Sequence, residues 1–219
     1  MKFLDHVAIG ARSDAATPLV LQSVLQQFGI RTHLYRFYQT EHVRDFFARK
    51  GVPDEVRFTI LCAHAGGPNE DPAIHYDLSE QRDGDVTSPY GWEGYDLKIS
   101  KETIPDLVTN AKGTLLAMGC GAGREPLARA FLKAGYEGYV GATEEYIDGE
   151  SAFVFTVNLF YHLMAEERDF HWKKYTMAEA VERAAQTDPD FDVGTRPYRY
   201  WSPQDLGLTA GAKPIERRA

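Results

Sequence analysis

Residues 114–123 read TLLAMGCGAG, an apolar run that ends at a cysteine, Cys120, with glycine on both sides. A near-continuous apolar run of this length is typical of a parallel strand that is covered on both faces of a sheet. Residues 56–63 read VRFTILCA, and they end in a similar run directly before His64. The two segments therefore predict neighbouring strands near the centre of a parallel sheet.

Strands and helices alternate on both sides of these two segments. Further strands are predicted over residues 6–10, 32–37 and 138–142, from apolar or alternating residues. Apolar residues at helical spacing, with caps and glycine stops, predict helices over about residues 21–28, 40–47, 100–111, 127–134, 153–164 and 177–185. This alternation predicts an α/β fold, a three-layer sandwich with a mostly parallel central sheet and helices on both faces.

Two segments lack such patterns. Residues 65–95 are rich in Gly, Pro, Asp and Asn, which predicts a long loop with room for a short hairpin, and loops of that length are usually functional. We expect residues 1–187 to form the domain. Residues 188–219 contain several prolines and are expected to form an irregular C-terminal tail, packed on the domain or extending from it.

The composition excludes several classes of protein. The net charge of −8, with no basic cluster large enough to cover a face, argues against direct binding of nucleic acid. No apolar run approaches the roughly 20 residues that a membrane span needs. Asp5 interrupts the first residues in a way that is untypical of a secretion signal, and two cysteines are too few for a disulfide scaffold. We therefore expect a cytoplasmic protein with free thiols.

Reactive side chains follow two of the predicted strands. In open parallel sheets, ligands bind beyond the carboxyl ends of the strands, and both His64 and Cys120 lie there. Neighbouring strands are about 4.8 Å apart, so the two side chains could approach a common point. An imidazole beside a thiol activates a cysteine nucleophile. The neighbouring glycines free backbone N–H groups, at Cys120 and near Ala65 or Gly66, to stabilise an oxyanion.

The order of these motifs resembles the caspase-like cysteine peptidases, which share the caspase-hemoglobinase fold, and in particular the bacterial CHAT-type peptidases. Strand–His–small–Gly followed by strand–small–Cys–Gly carries the resemblance, which covers about residues 5–186. It extends to a helix that ends at Gly135, to the strand that ends at Thr143, and to Asp148 ahead of an aromatic helix. The chain departs from the family at Ala65, where the histidine is usually followed by glycine.

The resemblance implies a thiol protease that needs no cofactor and no metal. Cys120 would be the nucleophile and His64 the proton-transfer group, while the backbone amides of Gly66 and Cys120 would form the oxyanion hole. The substrate would be a protein or peptide. Members of the family often wait for an activating protein partner, and a role as a regulated bacterial defence or cell-death effector is an expectation by analogy.

The resemblance also places three charged residues near the pocket for the substrate residue before the scissile bond. Arg12 follows the first strand, whereas Glu145 and Asp148 follow the fifth. A carboxylate at the pocket floor would select Lys or Arg through charge-assisted hydrogen bonds, and Arg12 would instead select an acidic residue. We expect cleavage after a basic residue, because Asp148 matches the acid of the CHAT-type enzymes.

Other interpretations remain open at this stage. The chain could be a catalytically inactive caspase-like module that binds proteins. An α/β hydrolase or amidotransferase with a nucleophile elbow is disfavoured, because those enzymes place the nucleophile before the histidine in the chain. A metal site built from Cys62, His64 and His75 would have an incomplete ligand set. Cys62 lies inside a predicted strand and is expected to be a structural thiol.

Overall fold

We describe the fold from a computed structural model, which covers residues 6–12, 15–76, 78, 97–145, 147–163, 175–188 and 197–208. Much of the expected long loop (77 and 79–95) and much of the expected tail (189–196 and 209–219) lie outside these residues.

Strands and helices alternate along most of the described chain. The strands are β1 (His6–Arg12), β2 (Arg31–Phe37), β3 (Phe58–Cys62), β4 (His64–Gly66), β5 (Ala73–Tyr76), β6 (Leu97–Ser100), β7 (Thr114–Ala117), β8 (Gly138–Ala142) and β9 (Tyr198–Trp201). The helices are α1 (Thr17–Gln27), α2 (Thr40–Phe47), α3 (Ile104–Leu107), α4 (Glu125–Lys133), α5 (Gly149–Leu163) and α6 (Met177–Ala185), and a 3₁₀ turn covers Gln204–Leu206. None of the described helices is long and apolar enough to span a bilayer.

Six strands form the main sheet, in the order β2-β1-β3-β7-β8-β9. The first five are parallel to one another, and β9 pairs antiparallel with β8 at the edge. Helices cover both faces, and two buried clusters separate the three layers. Leu115 and Leu116 enter different clusters, because successive side chains of a strand point to opposite faces. The predicted α/β fold with a mostly parallel central sheet is confirmed.

A second, antiparallel sheet contains the strands β4, β5 and β6. Its first two strands, β4 and β5, pair antiparallel as a short hairpin, for which the predicted long loop left room. Gly66, Gly67 and Pro68 break the sequence into pieces too short to show a strand period. The burial of β5 explains why it is ordered, since all four of its residues are buried.

The strand β9 corrects the expectation of an irregular tail. Tyr198 stacks on Phe155 with ring centroids 3.7 Å apart, and Trp201 packs in the cluster on the other face of the sheet. Burial of one aromatic ring on each face stabilises a short edge strand. The main sheet therefore includes part of the segment after residue 187.

Candidate active site

The segments that carry His64 and Cys120 meet at the carboxyl ends of adjacent strands. The strands β3 and β7 pair in parallel, and the Met118 amide extends the pairing by donating to the Leu61 carbonyl at 2.9 Å. The chain then reaches Gly119, where a Cβ would lie 2.6 Å from the Ala65 Cβ and 3.0 Å from the Ala63 carbonyl oxygen. Gly119 thus packs directly against the two residues that flank His64, at the edge of the sheet where the sequence predicts the dyad.

The thiol of Cys120 is partly buried and lies against the backbone of Ile147. Its Sγ is 3.3 Å from the Ile147 carbonyl oxygen and 3.3 Å from the Ile147 amide nitrogen. Each of these contacts fits one protonation state of the Cys120 sulfur. A thiol donates to the carbonyl, and a thiolate accepts from the amide. Nothing in the sequence pattern indicated that Ile147 would face the cysteine.

Residues 119–124 contain Cys120, the predicted nucleophile, and we call them the nucleophile loop. Three hydrogen bonds fasten this loop to the main sheet. The Gly123 amide donates to the Ala142 carbonyl at 2.6 Å. The Tyr139 hydroxyl donates to the Ala122 carbonyl at 2.7 Å, and the Trp201 indole N–H donates to the Gly123 carbonyl at 2.7 Å. Buried hydrogen bonds of this kind hold a backbone in one conformation. The loop is therefore supported by β8 and β9 rather than by its own residues alone.

His64 is exposed and begins β4, where it pairs opposite His75 of β5. A cleft of about 340 Å³ lies beside it, and its lining includes Arg12, His64, His75, Cys62, Met118 and Gly149. Met118 precedes Cys120 by two residues, so the cleft lies next to the nucleophile loop. Met118 carries no functional signal in the sequence, because it reads as the last residue of an apolar run.

The cleft residues differ in charge near neutral pH. Burial lowers the pKa of His75 to about 4, with a further contribution from the positive charge of Lys98, so this imidazole is neutral. Burial raises the pKa of the Cys62 thiol to about 12, and its Sγ lies 3.6 Å from the Met118 Sδ. Cys62 is therefore a neutral thiol that packs on a thioether, and Arg12 contributes a permanent positive charge.

The expected role of Glu145 and Asp148 in selecting the substrate stays a prediction. Among the described lining residues of the cleft there is no carboxylate, and neither Glu145 nor Asp148 is one of them. The Asp148 carboxylate accepts hydrogen bonds from the Ser151 amide at 2.6 Å and the Ser151 hydroxyl at 3.1 Å. The bond from the Ser151 amide is the main reason that the pKa of Asp148 is lowered. Asp148 thus caps the start of α5.

Gly66, the expected oxyanion-hole residue, is the buried last residue of β4 and lies opposite Ala73. Its position two residues after His64 puts it beside the contact between Gly119 and Ala65. Its function as a donor stays a prediction.

No family model and no curated protein matches the sequence. Among solved structures, the chain is similar to iotapain, a secreted C11 cysteine protease from Bacteroides thetaiotaomicron. The TM-score is 0.53 and the sequence identity is 11%, over 94% of this chain and 68% of that chain. At this identity the likeness shows the fold alone, and it confirms the predicted caspase-like arrangement. The finer resemblance to CHAT-type peptidases stays a prediction.

Proposed function

We propose that this protein is a cysteine endopeptidase in which Cys120 is the nucleophile and His64 transfers protons. One observation carries the proposal. Gly119 packs against Ala63 and Ala65, which brings the residues next to both groups into contact at the carboxyl ends of adjacent strands. The shared fold with a C11 cysteine protease supports it.

The reaction would follow the two steps of covalent catalysis. The Cys120 sulfur gives its proton to His64 and attacks the scissile carbonyl, and the amides of Cys120 and Gly66 stabilise the oxyanion. His64 then protonates the leaving amine, and the C–N bond breaks to leave a thioester. His64 takes a proton from water, the resulting hydroxide attacks the thioester, and the acid product leaves as Cys120 regains its proton.

We further propose that the cleft beside His64 receives the substrate side chain before the scissile bond. The expected preference for a basic residue depended on Asp148 at the pocket floor, but its carboxylate caps α5. Arg12 lines the cleft, and a guanidinium at this position favours the other alternative, an acidic residue. An activating partner and a defence role stay predictions by analogy.

Peptide libraries that vary the residue before the scissile bond test this proposal. Cys120→Ala and His64→Ala should abolish cleavage, while Cys62→Ala, the matched thiol control, should keep it. Cleavage by Cys120→Ala at the wild-type rate would refute the proposal. An inactive wild type whose Cys120 is alkylated no faster than a free model thiol would favour the binding-module interpretation.

Two further variants separate the alternatives for specificity. Arg12→Gln should weaken cleavage after acidic residues. Asp148→Asn keeps a capping side chain and should leave the substrate preference unchanged. Loss of cleavage after basic residues in Asp148→Asn would instead identify Asp148 as the residue that selects the substrate.

A further inference from the structure

The side chain of Arg124 links the nucleophile loop to the segment that follows His64. Its Nη1 donates to the carbonyl oxygen of Gly67 at 2.6 Å, although the two residues are 57 positions apart in the chain. Gly67 directly follows β4, the strand that His64 begins. One hydrogen bond therefore joins the loop of the nucleophile to the strand of the histidine.

The guanidinium reaches Gly67 by lying over Gly121, the residue directly after Cys120. A Cβ on Gly121 would be 2.9 Å from the Arg124 Cζ and 3.0 Å from its Nε. Gly121 also has a φ of +64°, which a residue with a side chain adopts at a cost. The glycine thus provides both the turn after the nucleophile and the space that the guanidinium occupies.

This link matters because Cys120 follows β7 of the main sheet, whereas His64, two residues after β3, already begins β4 of the second sheet. Cys120 follows the main sheet, and the bonds from Tyr139 and Trp201 fasten its loop to that sheet. Those bonds do not reach β4. The packing of Gly119 on Ala65 brings the two sheets together, but apolar packing has little directional preference. A charge-assisted hydrogen bond adds direction and is stronger than a neutral one.

We propose that Arg124 is a positioning residue, which holds β4 against the nucleophile loop and so sets the approach of the His64 imidazole to the Cys120 thiol. This inference rests on the proposed function. Arg124 need not touch the substrate. It acts through the Gly67 carbonyl, one residue after the expected oxyanion donor Gly66.

The direct test is the rate at which iodoacetamide alkylates Cys120 near neutral pH, measured at that residue by mass spectrometry. The variants are His64→Ala, Arg124→Ala and Arg124→Lys. Arg129→Ala is the matched control. Arg129 lies on α4, the helix that directly follows the nucleophile loop, and its side chain donates to the Leu206 carbonyl at 3.1 Å and to the Glu125 carboxylate. Turnover of a cleaved peptide is the second readout.

We expect Arg124→Ala to slow alkylation about 10-fold and to lower kcat on the order of 100-fold with a smaller change in KM, because small misplacements of reacting groups have effects of that size. Arg124→Lys should recover part of the alkylation rate and part of kcat, because an ammonium can donate to the same carbonyl, although it lacks the planar fork of a guanidinium. Arg129→Ala should resemble the wild type in both readouts. Thermal unfolding should shift similarly in the two alanine variants, which separates positioning from general destabilisation.

Two outcomes would overturn the inference, and they are distinguishable. If His64→Ala slows alkylation while Arg124→Ala matches Arg129→Ala, the dyad stands and the positioning role fails. If His64→Ala leaves the alkylation rate unchanged, the proposed function fails and this inference fails with it. Should Arg124→Ala not fold, Arg124→Met keeps an unbranched side chain without the donor, and a wild-type rate in that variant overturns the positioning role.

Discussion

The hydroxyl of Tyr139 offers a sharp test of how the nucleophile loop is held. The side chain is 0% exposed, its ring stacks on Phe131 at 5.4 Å between centroids, and its hydroxyl donates to the Ala122 carbonyl at 2.7 Å. Burial raises the pKa of Tyr139 well above its usual value of 10.0, so the hydroxyl stays a neutral donor. Tyr139→Phe keeps the ring and its stacking and removes only this donor.

The expected cost follows from the burial of the acceptor. Ala122 is 0% exposed, so water cannot replace the lost donor without a rearrangement of the loop. A buried carbonyl that loses its partner costs about 1–3 kcal/mol. In a chain of this size, each kcal/mol lowers Tm by about 2–4 °C. We therefore expect Tyr139→Phe to lose about 2 kcal/mol and to unfold about 4–8 °C below the wild type.

Tyr35→Phe is the matched control. It also removes a tyrosine hydroxyl that donates to a backbone carbonyl, that of Gly51 at 2.9 Å, but at an exposed site where water can take its place. We expect a loss below about 0.5 kcal/mol there. Urea unfolding followed by circular dichroism, together with a thermal scan, measures both variants. Equal free energies of unfolding for the two variants would refute the reasoning, because burial of the acceptor is the difference between them.

Four further perturbations have expected outcomes that the same methods measure. Gly123→Ala should destabilise the fold by at least about 3 kcal/mol, because the new Cβ would lie 2.1 Å from the Gly141 carbonyl oxygen. Gly149 lies at the start of α5, and a new Cβ there would have no atom within 4 Å, so Gly149→Ala should be neutral or slightly stabilising. Equal losses of unfolding free energy in Gly123→Ala and Gly149→Ala would contradict this expectation. Trp201→Phe removes the indole N–H that donates to the Gly123 carbonyl, and it should lower the free energy of unfolding by about 1–3 kcal/mol. An unchanged free energy of unfolding would show that this carbonyl finds another partner. His75 binds a proton more readily in the unfolded chain, since burial lowers its folded pKa from 6.5 to about 4, so the free energy of unfolding should fall as pH falls through that window. The fall should be shallower in His75→Gln, and parallel pH curves would contradict the assignment.

The centre of the fold was predictable because burial on both faces restricts composition. A strand such as β7, with helices above and below it, must be apolar at successive positions, and residues 114–118 satisfy this directly. The edge strand β9 has no such restriction. Arg199 lies between its buried aromatic residues, and its pairing partner β8 lies far away in the chain. No local pattern could indicate that this segment of the tail completes the sheet.

Some features of the candidate site were likewise predictable from the sequence, and others were not. The placement of His64 and Cys120 beyond adjacent strands was predictable, because a strand end is visible in the sequence and the topology of a parallel sheet brings neighbouring strand ends together. The charge of the cleft beside His64 was not predictable, because it depends on which charged side chains line the cleft in the folded protein. Asp148 did have a local signal for its observed role, since it stands directly before α5 with Ser151 three residues on, the position of a helix cap.

In the proposed site, different contacts hold the nucleophile loop on the main sheet and join it to the segment that follows His64. Tyr139 and Trp201 fasten the nucleophile loop to the main sheet, so their loss should act first on the free energy of unfolding. Arg124 joins that loop to the sheet of His64, so its loss should act first on the thiol–imidazole geometry while the main sheet stays folded. The sequence does not indicate that Tyr139, Trp201 and Arg124 have these different roles. The roles differ only because β4 packs on the nucleophile loop in the folded protein. Variants of Tyr139 or Trp201 should therefore change mainly the free energy of unfolding, and variants of Arg124 should change mainly the reactivity of the Cys120 thiol. If the two quantities always change together, a single structural unit holds both proposed reactive groups.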